Sequence, residues 1–273
     1  MRTYPHGVPS WVDTEQPDPE AACTFYGGLF GWTFEDAMPP EAPGHYFIAK
    51  LGGRDAAAIA SAENGPAVAW NTYVAVEDAD ATAAAIAQAG GEILAGPEDA
   101  GPSGRYAICA DPRGARFRLW QARKRPGAQV ANEPGAWNFS DLRTGDPGLA
   151  GTFYAPLFGW AVEDMGFATM LRRPGYGDHL AATIDPGIHE RQADVGAPPG
   201  FADAIAWVAP AGDGPDRWHV TFSVRDRDDA VASAERLGAR VLSSEDTDWT
   251  RHAVIRDPQG AELTLSQFTP PGG

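Results

Sequence analysis

Apolar side chains recur with a helical period directly after Asp18 and Pro19. Positions 22, 25, 26, 29 and 30 are apolar, which is the spacing of a helix that lays one face on a sheet. Asp18 suits the N-cap, Pro19 suits the first helical position, and Gly31 suits the left-handed residue that often follows a helix. The pattern therefore predicts a helix that ends at Gly31 and a strand that begins at Trp32.

The same pattern returns 128 positions later, which indicates an internal duplication. The phrase FYGGLFGW, which starts at Phe25, reads FYAPLFGW from Phe153. Asp146 and Pro147 repeat the predicted cap. Pro156 lies inside the second helix and is predicted to distort its last turn, because proline donates no backbone hydrogen bond.

Short alternating runs after each helix predict strands, and a second helix is predicted over 78–89. Each half of the chain then contains the order strand, helix, strand, strand, strand twice. The turn DPRG and its repeat DPQG precede the last strand of the two halves. The sequence therefore predicts an α+β fold of four βαβββ modules in two domains, residues 1–130 and 131–273. An insertion at about 172–203 occurs only in the second half and is predicted to be a lid-like loop.

Composition and charge limit the function classes. The net charge of −16 argues against nucleic acid and anionic membranes as partners, since both would be repelled. The charge is compatible with a cationic ligand. Cys23 and Cys109 are predicted to be buried reduced thiols, and the absence of an apolar leader favours a cytoplasmic protein.

The four modules, the phrase FYxxLFGW and the turn DPxG resemble the vicinal oxygen chelate superfamily, which includes glyoxalases, bleomycin-resistance proteins and extradiol dioxygenases. The phrases GVPSWVD, WNTYVAV and DPRGARFRLWQ look like a two-domain actinobacterial branch. That branch includes a mycobacterial culture-filtrate antigen and proteins called hydroxylases in anthracycline-type polyketide clusters. The resemblance implies cup-shaped mixed sheets covered by helices.

Catalytic members of this superfamily hold a divalent metal in the cup with His, Glu or Gln. The resemblance places those positions at Trp11, near Ala60, Asn71 and Arg118 in the first half. In the second half they fall at Phe139, near Val208, His219 and Thr264. Only His219 is a good ligand for a first-row metal, whereas a site normally needs three or four such groups. The sequence therefore predicts no metal and no other cofactor.

Residues two apart on a strand share a face, so the neighbours of these positions also face the cups. Aromatic rings with a few polar groups suit a flat, partly polar organic molecule. The alternative is that the rings simply fill the cups as core. The predicted ligand-binding residues are Trp11, Asn71, Tyr73 and Arg118 in the first half, and Phe139, Asp141, Tyr176, Trp207, His219, Thr221, Trp249, Glu262, Thr264 and Ser266 in the second half.

These observations predict a metal-free protein that binds a planar aromatic natural product, such as an anthracycline-like polyketide. It would sequester the molecule, as in resistance, or assist a partner oxygenase, as a monomer or homodimer. The alternative is a hydroxylase or isomerase acting on such a polyketide, with His219 as acid/base or metal ligand beside Asp141 or Glu262. A regulatory or protein-binding module is a third hypothesis, since fold does not fix function.

Overall fold

The computed structural model describes residues 3–62, 68–166, 168–194 and 196–270. The first half contains eight strands and two helices in the predicted order. The strands are β1 (Pro9–Gln16), β2 (Thr33–Asp36), β3 (Tyr46–Leu51), β4 (Arg54–Ser61), β5 (Trp70–Ala75), β6 (Glu92–Ala100), β7 (Gly104–Ala110) and β8 (Arg116–Ala122). The helices are α1 (Pro19–Phe30) and α2 (Ala79–Gln88).

The second half repeats this order and adds helices within the insertion. Its strands are β9 (Trp137–Thr144), β10 (Ala161–Asp164), β11 (Thr169–Arg172), β12 (Ala204–Pro210), β13 (Arg217–Ser223), β14 (Arg240–Asp246), β15 (Thr250–Arg256) and β16 (Glu262–Phe268). Its helices are α3 (Ala155–Phe158), α4 (Tyr176–Thr183), α5 (Ile188–Asp194) and α6 (Arg227–Arg236), with a π-helical turn at Ala150–Tyr154 and a 3₁₀ turn at Phe201–Asp203.

Each half forms one eight-stranded mixed sheet, which confirms the predicted fold class. The orders are β2-β3-β4-β1-β5-β8-β7-β6 and β10-β11-β12-β9-β13-β16-β15-β14. The duplication extends to the pairing, because β1 runs parallel to β4 as β9 does to β12. Likewise, β5 runs parallel to β8 as β13 does to β16.

The predicted ends of α1 are confirmed. The Asp18 side chain accepts a hydrogen bond from the Ala21 N–H at 2.9 Å, and Pro19 is the first helical residue. Gly31 adopts the left-handed conformation with φ of 73° and donates its N–H to the Gly27 carbonyl. A single N-cap, one proline and one glycine thus define both ends of this helix.

The second copy of this helix is more irregular than predicted. Pro156 was expected to distort the last turn, but the irregular part is the π-helical turn at Ala150–Tyr154, which precedes the proline. The regular part is reduced to α3. The physical reason is that Pro156 has no N–H for the carbonyl of Thr152, so the segment before it loses a regular hydrogen bond.

The insertion is not the loop that its proline and glycine content predicts, since it forms α4 and α5. Tyr176 and Leu180 on α4 pack into the hydrophobic core. Asp203 lies outside α4 but provides hydrogen-bond acceptors for the backbone at the start of that helix. Its carboxylate accepts from the N–H groups of Gly175 and Gly177 at 3.2 and 2.7 Å. Residue 195 of the predicted insertion lies outside the described residues.

The chain divides into two compact units that do not follow chain order. Unit 1 contains residues 1–10, 72–127 and 139–218, and unit 2 contains residues 11–71, 128–138 and 219–273. Each unit therefore takes one module from each half. The predicted domain boundary near residue 130 concerns the order along the chain and stays a prediction.

A buried Tyr–Asp pair links the two modules within each unit. In unit 2 the Tyr26 hydroxyl donates to Asp257 Oδ2 at 2.8 Å. In unit 1 the Tyr154 hydroxyl donates to Asp111 Oδ2 at 2.9 Å. Both tyrosines belong to the FYxxLFGW phrase and both aspartates to the DPxG turn, so the two phrases are scaffold motifs that bind each other.

The remaining sequence expectations concern the thiols and the membrane. Cys109 is buried and Cys23 is half-buried, and neither forms a disulfide. Burial raises the pKa of both thiols to about 12, so they are unreactive. Among the described residues, no helix combines the length and apolar character needed to cross a membrane.

Candidate functional site

In the first half, the predicted cup residues Trp11 and Asp13 on β1 and Asn71 on β5 belong to one hydrogen-bond network, in which Tyr46 bridges Trp11 and Asp13. Trp11 Nε1 donates to the Tyr46 hydroxyl at 3.0 Å, and that hydroxyl donates to Asp13 Oδ2 at 3.0 Å. Asn71 Nδ2 donates to Asp13 Oδ1 at 2.9 Å. Asp13 is fully buried and Trp11 is 8% exposed. These groups use their hydrogen-bonding capacity on each other, which favours a structural role for them.

Tyr46 is the member of this network that sequence reasoning missed. It begins a predicted strand, and nothing in one sequence shows that its ring reaches Trp11 and Asp13 on β1. The register supplies that information, since Tyr46 lies opposite Ala60 on β4 and β4 pairs with β1.

The other first-half candidates, Tyr73 and Arg118, form a buried pair on β5 and β8. Arg118 Nη1 donates to the Tyr73 hydroxyl at 2.8 Å, and the guanidinium carbon lies 5.4 Å from the ring centroid. Trp120 packs edge-on against Tyr73, and its Nε1 donates to the Arg125 carbonyl at 2.8 Å. The Arg118 guanidinium is therefore held within the protein by its contacts with Tyr73.

In the second-half sheet, two positions of the hydrogen-bond network around Asp13 carry different residues. Asp13 lies opposite Ala58 on β4, and Val208 lies opposite Leu142 on β12. The duplicate of Asp13 is Asp141, so its neighbour on β12 is Trp207 where the first half has Ala58. The same register aligns Ala60 on β4 with Ala209 on β12, the residue after Val208.

The donor to the aspartate is also replaced. Thr169 pairs with Val208, and continuing that register by one residue places Ala168 at the position of Tyr46. Alanine has no hydroxyl to donate. The duplicate of Asp13 has therefore lost the tyrosine that satisfies one of its oxygens in the first half.

Asp141 consequently has an uncompensated carboxylate oxygen. Its Oδ1 is out of contact with solvent and has no hydrogen-bond partner among the residues that the structure describes. Burial raises the pKa of the Asp141 carboxyl to about 6, although the Arg143 charge and the Trp207 backbone N–H lower it. A carboxyl group in this state gains or loses its proton near physiological pH.

The side chains around Asp141 on this side of the sheet are aromatic and partly exposed. Phe139 precedes it by two residues on β9 and so shares its face, while Ser140 and Leu142 face the buried side. Phe201 from the insertion packs against Trp207 with ring centroids 6.3 Å apart. We refer to Phe139, Asp141, Trp207 and Phe201 as the Asp141 face. All four residues have some exposed surface, although the Asp141 carboxylate oxygen Oδ1 itself is out of contact with solvent, whereas Trp11, Asp13 and Ala58 are buried.

The remaining sheet candidates of the second half lie on β13 and β16. His219 is 3% exposed, and its Nε2 lies 2.8 Å from Thr264 Oγ1. Thr221 pairs with Thr264, and the same parallel register brings Ser266 opposite Ser223. Glu262 is ion-paired with Arg256 at 2.6 Å. The acid/base role of His219 stays a prediction.

Two further candidates lie elsewhere in their units. Tyr176 is packed in the core of unit 1 and stacks with His179. Trp249 stacks with the exposed Phe268 in unit 2. The neighbouring Asp246 is ion-paired with Arg227 and Arg251.

The insertion itself carries a surface cavity of about 300 Å³ lined by residues such as Asp178, His189, Pro199 and Asp203. His189 Nε2 lies 3.1 Å from Asp178 Oδ1, within hydrogen-bonding distance, and both side chains are more than half exposed. The cavity lies beside Ala202 and does not include the Asp141 face. Its polar walls are solvated surface groups.

The residues at the superfamily's ligand positions do not fit a metal centre. Tryptophan and phenylalanine have no ligating atom, Arg118 would repel a cation, and Asn71 presents its Nδ2 as a donor to Asp13. Within the described parts of the chain, no three His, Cys, Asp or Glu side chains converge as a metal site would require.

Comparisons with known proteins agree with this architecture. Residues 15–119 match the family model described as Glyoxalase/Bleomycin resistance protein/Dioxygenase superfamily, and residues 139–266 match one described as Glyoxalase-like domain. The chain therefore belongs to the glyoxalase, bleomycin-resistance and dioxygenase superfamily, as the motifs predicted.

Some relatives align with this protein over nearly the whole chain. The "Putative glyoxylase CFP32" of Mycobacterium tuberculosis is 34% identical over 274 residues, which cover 98% of this chain and 97% of that protein. The anthracycline biosynthesis protein DnrV of Streptomyces peucetius is 32% identical and covers 98% and 96% of the two chains.

Solved structures show the same fold at lower identity. The Mn(II)-bound glyoxalase from Novosphingobium aromaticivorans is 17% identical, with a TM-score of 0.60 over 96% of this chain and 82% of that chain. The halotolerant catechol dioxygenase BphC is 16% identical, with a TM-score of 0.57 over 97% and 88%. At these identities the similarity concerns the fold alone.

Proposed function

We propose that this protein binds a planar aromatic small molecule on the Asp141 face of its second half, without a metal. The observation that carries the proposal is the contrast between the two copies of one position. Trp11, Asp13 and Ala58 are buried, and Asp13 accepts hydrogen bonds from Tyr46 and Asn71. Asp141, Phe139 and Trp207 are instead partly exposed, and Asp141 Oδ1 has no hydrogen-bond partner among the described residues.

The chemistry of the face supports an aromatic ligand. Phe139, Trp207 and Phe201 offer rings for stacking, which contributes about 0.5–1.5 kcal/mol per aromatic pair beyond the area buried. A single polar group among such rings is typical of sites that bind small organic molecules and fix their orientation. The second-half insertion supplies one of the rings, since Phe201 contacts Trp207.

The relatives suggest the class of molecule. DnrV and DauV carry the name anthracycline biosynthesis protein, and an anthracycline has a planar fused-ring quinone with hydroxyl groups. The net charge of −16 would attract a positively charged amino-sugar derivative. Binding would sequester such a polyketide or present it to a partner oxygenase.

Replacing Trp207 with alanine tests this function, since it restores the residue that the first half has at Ala58. We expect the wild-type protein to bind a hydroxyanthraquinone or an amino-sugar anthracycline saturably below about 100 μM, equivalent to a binding free energy of about −5.5 kcal/mol. Trp207→Ala should weaken binding by about tenfold, because stacking on the indole is lost. Isothermal titration calorimetry suits this test, as it does not depend on the removed fluorophore.

Phe268→Ala is the matched control, because Phe268 is an exposed aromatic side chain in unit 2 and lies outside the Asp141 face. Its affinity should equal that of the wild type. The proposal is wrong if neither probe binds the wild type below about 100 μM, or if Trp207→Ala and Phe268→Ala bind equally well.

A further inference from the structure

The duplication supplies an internal comparison for one carboxylate. Asp13 accepts hydrogen bonds from Tyr46 and Asn71 at 3.0 and 2.9 Å. In its duplicate Asp141, the Tyr46 position is an alanine, and Oδ1 has no partner among the described residues. The Asn71 position is His219, whose Nε2 lies at hydrogen-bonding distance from Thr264.

A buried acceptor without a donor costs free energy, about 1–3 kcal/mol for a neutral group and more for a charged one. Such a group is unfavourable for stability alone, and an O–H or N–H donor that arrives with a ligand would compensate it. The rings on either side are those of Phe139 and Trp207, both partly exposed.

We infer that Asp141 determines the specificity of this face, because its Oδ1 accepts a hydrogen bond from an O–H or N–H group on the bound aromatic molecule. The inference rests on the proposed function and names the chemical group that the same face selects. It makes the donor-bearing molecule the preferred ligand over an otherwise identical molecule in which that donor is blocked.

Within unit 1, few charges act on this carboxylate. Arg143 on the same strand is the charged side chain that lowers the pKa of Asp141, and the Trp207 backbone N–H is the polar group contributed by β12. The side chains of β12 itself are Ala, Ile, Trp, Val and Pro, none of which titrates. The rise in the Asp141 pKa caused by burial outweighs the lowering by Arg143 and by the Trp207 N–H.

Asp141→Asn tests the carboxylate without any ligand. The folded-state pKa is about 6, above the ordinary value of about 3.9. The stability that the protonated form contributes is therefore present below about pH 4 and lost as the pH rises through about 6. Asp141→Asn removes this loss, so its melting temperature should exceed that of the wild type by a few degrees near pH 7.5 and match it near pH 4.

The matched control is Asp13→Asn, the same substitution in the first copy. Asp13 accepts from two side chains, so the amide would turn a donor toward Tyr46 or Asn71 and break one of these bonds. Its melting temperature should fall at near-neutral pH. If the melting temperature of Asp141→Asn also falls at near-neutral pH, Oδ1 accepts a hydrogen bond that stabilises the fold. The inference is then wrong, whether or not any ligand binds.

The ligand arm compares a hydroxyanthraquinone with its O-methyl ether on the full-length protein. The wild type should prefer the hydroxyl compound by about tenfold, the value of one good hydrogen bond to a charged group. Asp141→Asn should lose this preference while Asp13→Asn keeps it. An amine-bearing anthracycline and its N-acetyl derivative form a second pair, which distinguishes an N–H donor from an O–H donor.

The pH dependence provides a readout that a purely structural role would not change. At about pH 5 only about a tenth of the Asp141 side chains are ionised, so affinity for the hydroxyl compound should fall about tenfold from its value near pH 7.5. Asp141→Asn should abolish the fall. A histidine can titrate in the same pH range, so His219→Asn is included as a control. The loss of affinity for the hydroxyl compound at about pH 5 should persist in that variant.

The outcomes separate the two proposals. If neither anthraquinone binds the wild type, the proposed function and this inference are both overturned. If both compounds bind with equal affinity, or if Asp141→Asn keeps the preference for the hydroxyl compound, the face binds aromatic molecules and only the role of Asp141 is wrong.

Discussion

Replacing Asp257 with alanine is expected to lower the free energy of unfolding by about 4 kcal/mol. The buried carboxylate accepts from the Tyr26 hydroxyl at 2.8 Å and from Gln16 Nε2 at 2.9 Å. It also accepts from the backbone N–H groups of its own turn, those of Gln259, Gly260 and Ala261. Its removal leaves two fully buried side-chain donors, on Tyr26 and Gln16, without this acceptor.

Urea denaturation followed by tryptophan fluorescence measures this effect as a lower midpoint. Tyr26→Phe is the graded comparison, because it keeps the carboxylate bonded to Gln16 and to the turn. It removes the hydroxyl that donates to Asp257 and that accepts from Trp70 Nε1 at 3.0 Å. We expect it to cost about 1–2 kcal/mol. If the free energy of unfolding of Asp257→Ala lies within about 1 kcal/mol of the wild-type value, the network does not stabilise unit 2 as the geometry indicates.

Phe222→Ala is expected to destabilise unit 2 by a similar amount, about 3–5 kcal/mol. Phe222 is fully buried and packs against Phe30 and Trp70, both with ring centroids at 4.9 Å, and against Trp32 at 5.6 Å. Trp32 is fixed in turn, since its Nε1 donates to the Gly135 carbonyl at 2.7 Å. The cavity left by the ring cannot collapse easily between these large side chains.

Phe268→Ala is the matched control for this substitution, because Phe268 is 59% exposed and contacts only Trp249 among the described ring pairs. Its free energy of unfolding in urea should lie within about 0.5 kcal/mol of the wild-type value. Equal destabilisation by the two substitutions would show that burial in the aromatic cluster is not the cause.

The sequence was informative where local chemistry decides the structure. Asp18, Pro19 and Gly31 define α1 because a cap, a fixed φ and a left-handed residue act within a few positions. The constant offset of the duplication also aligned Asp13 with Asp141 correctly. These features require no knowledge of which strands become neighbours.

The site depended on long-range register, which a single sequence does not reveal. The offset of the repeat could not show that Trp207 replaces Ala58, because the insertion separates β11 from β12. Tyr46 was missed for the same reason, since its contact with Asp13 crosses β4. The insertion was misjudged because Asp203, far along the chain from Gly175, caps α4 and makes that helix possible.

The two Tyr–Asp pairs have a consequence for how this chain could be recombined with a relative. The tyrosine of each pair comes from one half of the sequence and the aspartate from the other, Tyr26 with Asp257 and Tyr154 with Asp111. A crossover at the midpoint therefore builds both buried pairs from two parents at once. Hybrids should tolerate that exchange only where both parents preserve the Tyr–Asp geometry, whereas exchanging a module together with its packing partner keeps each pair from a single parent.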